Sequence, residues 1–269
     1  MSVQKFIEDN KSFQDRGWIH FASDPKLLEW VSLSLPAATS CVTDPEYQQW
    51  LRHGDTWFVG VNALNNDLNG KVTGGVNLSG KAVDFIQSQL SRKFVWDRAQ
   101  VSVCYPGYPA RTDEESESSF NYRLRRDAAH VDGLLREGPQ QRRFLREHHA
   151  FIMGIPMQEV PATAAPVVVW EGSHHLVREA FQNIYQGHPP DTWKDIDVTQ
   201  AYTELRKTIF SRCTRLELPA RPGECYLIHR LALHGMAPWR AATRGYESGR
   251  MICYFRPELP APSDWLSLP

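Results

Sequence analysis

The chain lacks the features that would set it apart from ordinary globular proteins. Its five cysteines (Cys41, Cys104, Cys213, Cys225 and Cys253) are an odd set without CxxC or other paired spacing, which excludes a disulfide framework or a thiolate zinc site and leaves buried free thiols. No apolar run approaches the ~18 residues that cross a bilayer. The opening MSVQKFIEDNKSFQDRGW is acidic and polar where a secretory leader would be apolar, so the expected setting is the reducing cytoplasm, away from membranes. An excess of one charge is also absent: a net charge of -1 with 23% charged residues supplies no footprint for nucleic acid. Internal repeats and low-complexity linkers are missing, and the 269 residues fit one domain, 1–269, with a well-buried core.

What is present divides by hydrophobic period. Residues 1–95 read as a mainly helical support layer. Ser23 and Pro25 open a helix over DPKLLEWVSLSL that Pro36 closes, Thr43, Asp44 and Pro45 open EYQQWLRH before Gly54, and Val83, Ile86 and Leu90 keep helical spacing in SGKAVDFIQSQL. From about Gln100 the runs are short and rich in β-branched and aromatic residues: QVSVCY, FIMGIPM, APVVVW, RLEL, CYLIHRLALH and RMICYFRP. The class expected is mainly β with flanking helices, a sandwich or barrel core over 96–260. One interruption, 175–215, carries Val198, Tyr202, Leu205, Ile209 and Cys213 on one helical face and is expected to be a helical insertion covering the barrel mouth. The acidic tract TDEESES is expected to be a solvated loop.

A histidine and an aspartate two apart occur twice, at His53/Asp55 and His130/Asp132, and with ten histidines and 31 acidic residues about one such pair arises by chance. Context separates them. RHGD at 52–55 reads as a helix stop with a favourable dipole contact. His130 and Asp132 lie in the apolar run AAHVDGLL, where residues i and i+2 of a strand point to one face. An open-faced Fe(II) site needs two imidazoles and one carboxylate. The second imidazole must come from a distant strand, and His234, at the end of HRLALH just before a glycine, is preferred over His229 in mid-run.

With HVDG (130–133), APVVVWEGSHH (165–175), RPGECYLIHRLALHGMAPW (221–239) and GRMICYFRP (249–257) in this order, the chain resembles the Fe(II)/2-oxoglutarate-dependent oxygenases of the phytanoyl-CoA dioxygenase type, over about residues 100–257. The resemblance implies a double-stranded β-helix (jelly roll, cupin-like) core with iron on His130, Asp132 and His234. It also implies a downstream arginine on the remote carboxylate of 2-oxoglutarate, since a guanidinium meets a carboxylate through two charge-assisted hydrogen bonds. Arg250, opening RMICYF, is the candidate, and Arg244, in AATRGYESG, is the alternative. Met236 stands where many relatives have a hydroxyl residue, so Tyr105 or Ser102 is expected to assist the cosubstrate. Glu171 replaces the family's proline before GSH, with Ser173 and His174 as supports of the site or of the turn. Trp170 and Trp239 read as core or rim aromatics. The implied reaction consumes 2-oxoglutarate and O2, releases succinate and CO2, and hydroxylates a small molecule. Asp132 speaks against halogenation, and no basic cluster around a groove is evident. The implied protein is a monomer or homodimer. The rival readings are a cupin-type metal enzyme without 2-oxoglutarate and a non-catalytic jelly-roll binding protein.

Overall fold

The protein is seen in a computed structural model that describes residues 3–89 and 95–268, so Leu90 lies outside the described residues. The N-terminal part comprises α1 (Val3–Arg16), β1 (Trp18–Phe21), α2 (Pro25–Thr43), β2 (Leu51–Arg52), β3 (Trp57–Phe58) and α3 (Lys81–Gln89). After β4 (Gln100–Cys104) and α4 (Glu117–Arg126) come β5 (Leu134–Glu137), β6 (Arg142–Leu145), β7 (Phe151–Pro156) and β8 (Val167–Trp170). Helices α5 (Ser173–Tyr185) and α6 (Thr199–Arg212) follow, then β9 (Arg215–Leu218), β10 (Cys225–His229), β11 (His234–Met236), β12 (Arg250–Phe255) and α7 (Asp264–Ser267).

Seven strands form one antiparallel sheet in the order β1-β10-β7-β12-β4-β3-β2, and β11-β8-β9 form a second. Strand alternation sorts the side chains into two cores. Ile152, Tyr226, Ile228 and Ile252 turn toward Val167, Val169 and Leu218 of the smaller sheet. Their odd-numbered neighbours Met153, Leu227, Met251 and Cys253 pack outward on Leu27, Trp30 and Val31 of α2 and Phe85 of α3. Two sheets with apolar inner faces, helices outside, make a jelly-roll-like architecture. Cys41, Cys104, Cys225 and Cys253 are buried free thiols, and Cys213 is partly buried. No helix among the described residues is long and apolar enough to cross a membrane.

Several local expectations need correction. Pro36 does not end α2, because Ala38 and Cys41 continue its buried face; that burial outweighs the roughly 3 kcal/mol cost of an interior proline. Asp24, not Ser23, caps α2: one carboxylate oxygen accepts from Lys26 N and the other from Lys81 N at the start of α3. EYQQWLRH is a short 3-10 turn, Pro45–Trp50, followed by the β2–β3 hairpin. His53 and Asp55 occupy its left-handed turn positions, and the His53 ring stacks on Trp57. The N-terminal layer also contributes β1, β2 and β3 to the large sheet. CYLIHRLALH is two strands in different sheets, so His229 and His234 do not share one. The acidic tract is not wholly solvated, since Glu115 pairs with the buried Arg123.

Candidate active site

The two histidines selected from the sequence are joined by their own backbones. His130 N donates to His234 O at 2.8 Å and His234 N to His130 O at 3.0 Å, an isolated antiparallel bridge. The HxD pair therefore sits on a bridged loop segment rather than on a full strand. Two glycines allow the close approach: a Cβ on Gly235 would lie 2.1 Å from Asp127 O, and one on Gly133, at φ +84, would lie 2.1 Å from Glu147 O. The α5–α6 insertion supports this loop directly, because Val131 N donates to the buried Tyr202 Oη at 2.8 Å.

His130 Nδ1 is 3.0 Å from Ala128 O and His234 Nδ1 is 2.9 Å from Ala232 O. Each carbonyl demands a proton on the nitrogen facing it, so both Nε2 atoms are left as lone pairs. These lone pairs meet Asp132 Oδ1 at 3.2 and 3.5 Å. Three acceptors converge with no donor between them, an arrangement that a cation satisfies. The three ligand atoms all lie within 4.8 Å of one another. The Asp132 and His234 side chains are 8% and 9% exposed, while that of His130 is 42% exposed, so the site opens on one side.

Sequence reasoning missed Arg256. It follows Arg250, Ile252 and Tyr254 on the inward-facing register of β12, and alternation in GRMICYFRP would have found it. Its Nη1 is 3.3 Å from Asp132 Oδ2, and its backbone N–H donates to Asp97. Burial opposes the charge on Asp132, but the Arg256 guanidinium helps to hold its carboxyl well below the usual carboxylate range.

The triad lines a cavity of about 210 Å³ together with Trp57, Gln100, Ser102, Tyr108, Met236 and Arg256. Ser102 faces this cavity, and its Oγ accepts from Trp57 Nε1 at 3.0 Å. Tyr105 does not line it; one residue out of phase with Ser102, it packs on the helix-side core. Arg250 is 5% exposed and lines a second cavity of about 270 Å³ that shares Val167 with the first. Its Nη2 lies 2.9 Å from Met236 Sδ, and its Nε and Nη1 are buried without a partner. Arg244 is exposed in the loop before β12.

The other singled-out residues act on the frame. Ser173 Oγ accepts from Leu233 N at 2.8 Å, immediately before His234. His174 Nε2 donates to Gln14 O at 2.7 Å. Glu171, in place of proline, accepts from Arg16 and Trp18. His229 turns outward, with its ring beside Phe13 and His174. Trp170 is buried against Phe210, and Trp239 is partly buried.

The donor set fits the groups it is expected to hold: two imidazole lone pairs and a carboxylate suit Fe(II), and a buried guanidinium with two free N–H groups suits a carboxylate. Among solved structures the chain is similar to the non-haem α-ketoglutarate-dependent epimerase SnoN from nogalamycin biosynthesis, with a TM-score of 0.55 and 10% identity over 95% of this chain and 83% of that one. SnoN in complex with Fe3+, α-ketoglutarate and nogalamycin RO gives 0.52 and 12%, over 95% and 84%. EctD from S. alaskensis with bound Fe gives 0.48 and 14%, over 95% and 75%. The chain thus has the fold of a non-haem iron, 2-oxoglutarate-dependent enzyme. No family model and no curated protein matches it.

Proposed function

We propose that this protein is a non-haem Fe(II)- and 2-oxoglutarate-dependent dioxygenase, of the phytanoyl-CoA dioxygenase type, that hydroxylates a small molecule. The observation that carries this reading is the convergence of His130 Nε2, His234 Nε2 and Asp132 Oδ1 with no donor among them. Iron and 2-oxoglutarate supply the oxidation when bound, with O2 consumed and succinate and CO2 released. The chain's own residues hold and orient. Ala128 O and Ala232 O fix the imidazole tautomers, Arg256 turns Asp132, and Arg250 receives the remote carboxylate of the cosubstrate through its two free N–H groups as Met236 shifts aside. Ser102 offers a hydroxyl in the cavity lined by the triad. The α5–α6 segment acts as the lid that keeps bulk water from the site. A metal-dependent jelly roll without 2-oxoglutarate would have no use for a buried, half-unpartnered guanidinium. The test is anaerobic addition of Fe(II) and then 2-oxoglutarate to the full chain: a visible charge-transfer band is expected, and its absence from folded protein rejects the reading.

A further inference from the structure

Beside the triad lies a second opening that the oxidation itself does not require. A cavity of about 300 Å³ shares His130 and Ala128 with the metal cavity and is lined by Arg123, Arg136, Arg143, Tyr122 and the hydroxyl residues Ser118 and Ser119. Arg136 and Arg143 are direct cross-strand partners in the β5–β6 hairpin. Like charges opposite one another destabilise a strand pair, and no carboxylate among the described residues pairs with either. Arg143 is partly buried and held in place, its Nη1 donating to Leu134 O at 2.7 Å. Burial and the positive charges of Arg136 and Arg206 depress its basicity. Arg206 adds a further cation behind the wall: its Nη1 donates to Tyr122 Oη at 2.8 Å, and its Nε is buried without a partner. Arg123, 7% exposed, spends its terminal nitrogens on Glu115 and leaves Nε buried and unpartnered.

Arg123 is balanced by Glu115, but Arg136 and Arg143 line this cavity with no carboxylate partner among the described residues, and an anion held between them would offset their repulsion. We propose that this cavity is the subsite for an oxyanion of the primary substrate, a carboxylate or a phosphate, which presents the carbon to be oxidised beside His130. The assignment rests on the oxygenase reading for its link to catalysis, and on the arginines alone for its ligand. Planar guanidinium forks suit either oxyanion. The two oxygen acids differ in charge and shape, so direct binding separates them.

The experiment is calorimetric titration of the full chain, anaerobic and with Fe(II) and saturating 2-oxoglutarate present, by phenyl phosphate, benzoate and neutral benzamide. At least one of the two anions is expected to bind with one-to-one stoichiometry and to weaken as sodium chloride is raised. Binding should fall at least tenfold in Arg136→Gln/Arg143→Gln, whereas benzamide should not bind. Tighter phenyl phosphate marks a phosphorylated substrate, and tighter benzoate marks a carboxylic acid. Arg136→Gln alone removes an exposed side chain, so folding is not at issue, and it should still weaken the anion severalfold. Failure of both anions to bind, unchanged binding in the variants, or benzamide binding as tightly as benzoate overturns the proposal. Anion binding without the iron–2-oxoglutarate band leaves the subsite standing and removes the oxygenase reading; a normal band without anion binding does the reverse.

Discussion

Arg256 grips the outer oxygen of Asp132, its Nη1 lying 3.3 Å from Oδ2, while Oδ1 faces both imidazoles. The guanidinium fixes which carboxylate oxygen is presented and keeps that carboxylate charged. Outer partners of this kind are worth about ten- to a hundredfold in metal affinity. Arg256→Gln is therefore expected to weaken Fe(II) binding by about that factor, measured by competition with a metal-sensitive dye, while the melting temperature changes far less. Unaltered affinity would remove Arg256 from the metal site.

His234 offers a candidate ligand atom and also half of the bridge to His130, but the bridge is made by backbone atoms. His234→Ala should abolish succinate formation from 2-oxoglutarate while the circular dichroism spectrum stays that of the folded protein. Normal turnover in this variant would exclude His234 as a ligand.

Arg250 is buried with two free N–H groups, and a hydrogen bond to a charged group is worth about 1.5–3 kcal/mol. Arg250→Ala is expected to raise the apparent KM for 2-oxoglutarate at least tenfold, with little change when Arg244, exposed in its loop, is replaced instead. The reverse pattern would transfer the role to Arg244.

Tyr202 reaches from α6 to the backbone of Val131, between His130 and Asp132. Tyr202→Phe leaves the buried Val131 N–H without its acceptor, a loss of about 1–3 kcal/mol. A melting temperature lowered by a few degrees is expected, together with weaker iron binding. If stability alone falls, Tyr202 supports the fold and not the site.

His174 is held neutral in the folded protein, with its pKa lowered to about 4 by burial and by the nearby Arg178 and Arg230. The unfolded chain binds a proton near the ordinary value of about 6.5. Between those values the unfolded state holds more protons, so the contribution of His174 to stability is complete above about pH 6.5. It is lost as pH falls toward 4, at up to about 1.4 kcal/mol per pH unit. Urea unfolding across this window should show a shallower pH slope in His174→Gln than in the parent; equal slopes would reject the assignment.

The candidate ligands that the structure brings together were legible in the chain because they obey short-range rules. HxD places two donors two residues apart, Gly133 and Gly235 mark where backbones must pass closely, and alternation in RMICYF puts Arg250 on the inward register. The strand-rich half and the helical insertion followed from periodicity for the same reason. Pro36 misled because a local breaker signal cannot report that Ala38 and Cys41 will be buried beyond it.

What the chain alone determined is the chemistry available: two imidazoles, one carboxylate and a guanidinium set in apolar runs. Tertiary structure decided which partners those groups receive. That Arg256 reaches Asp132 and that Ser173 steadies the residue before His234 depend on contacts between segments far apart in sequence, and that Arg136 and Arg143 meet beside His130 depends on how their hairpin folds back on the HxD segment. Their geometry is set by how the sheets and helices pack, and no local pattern encodes it.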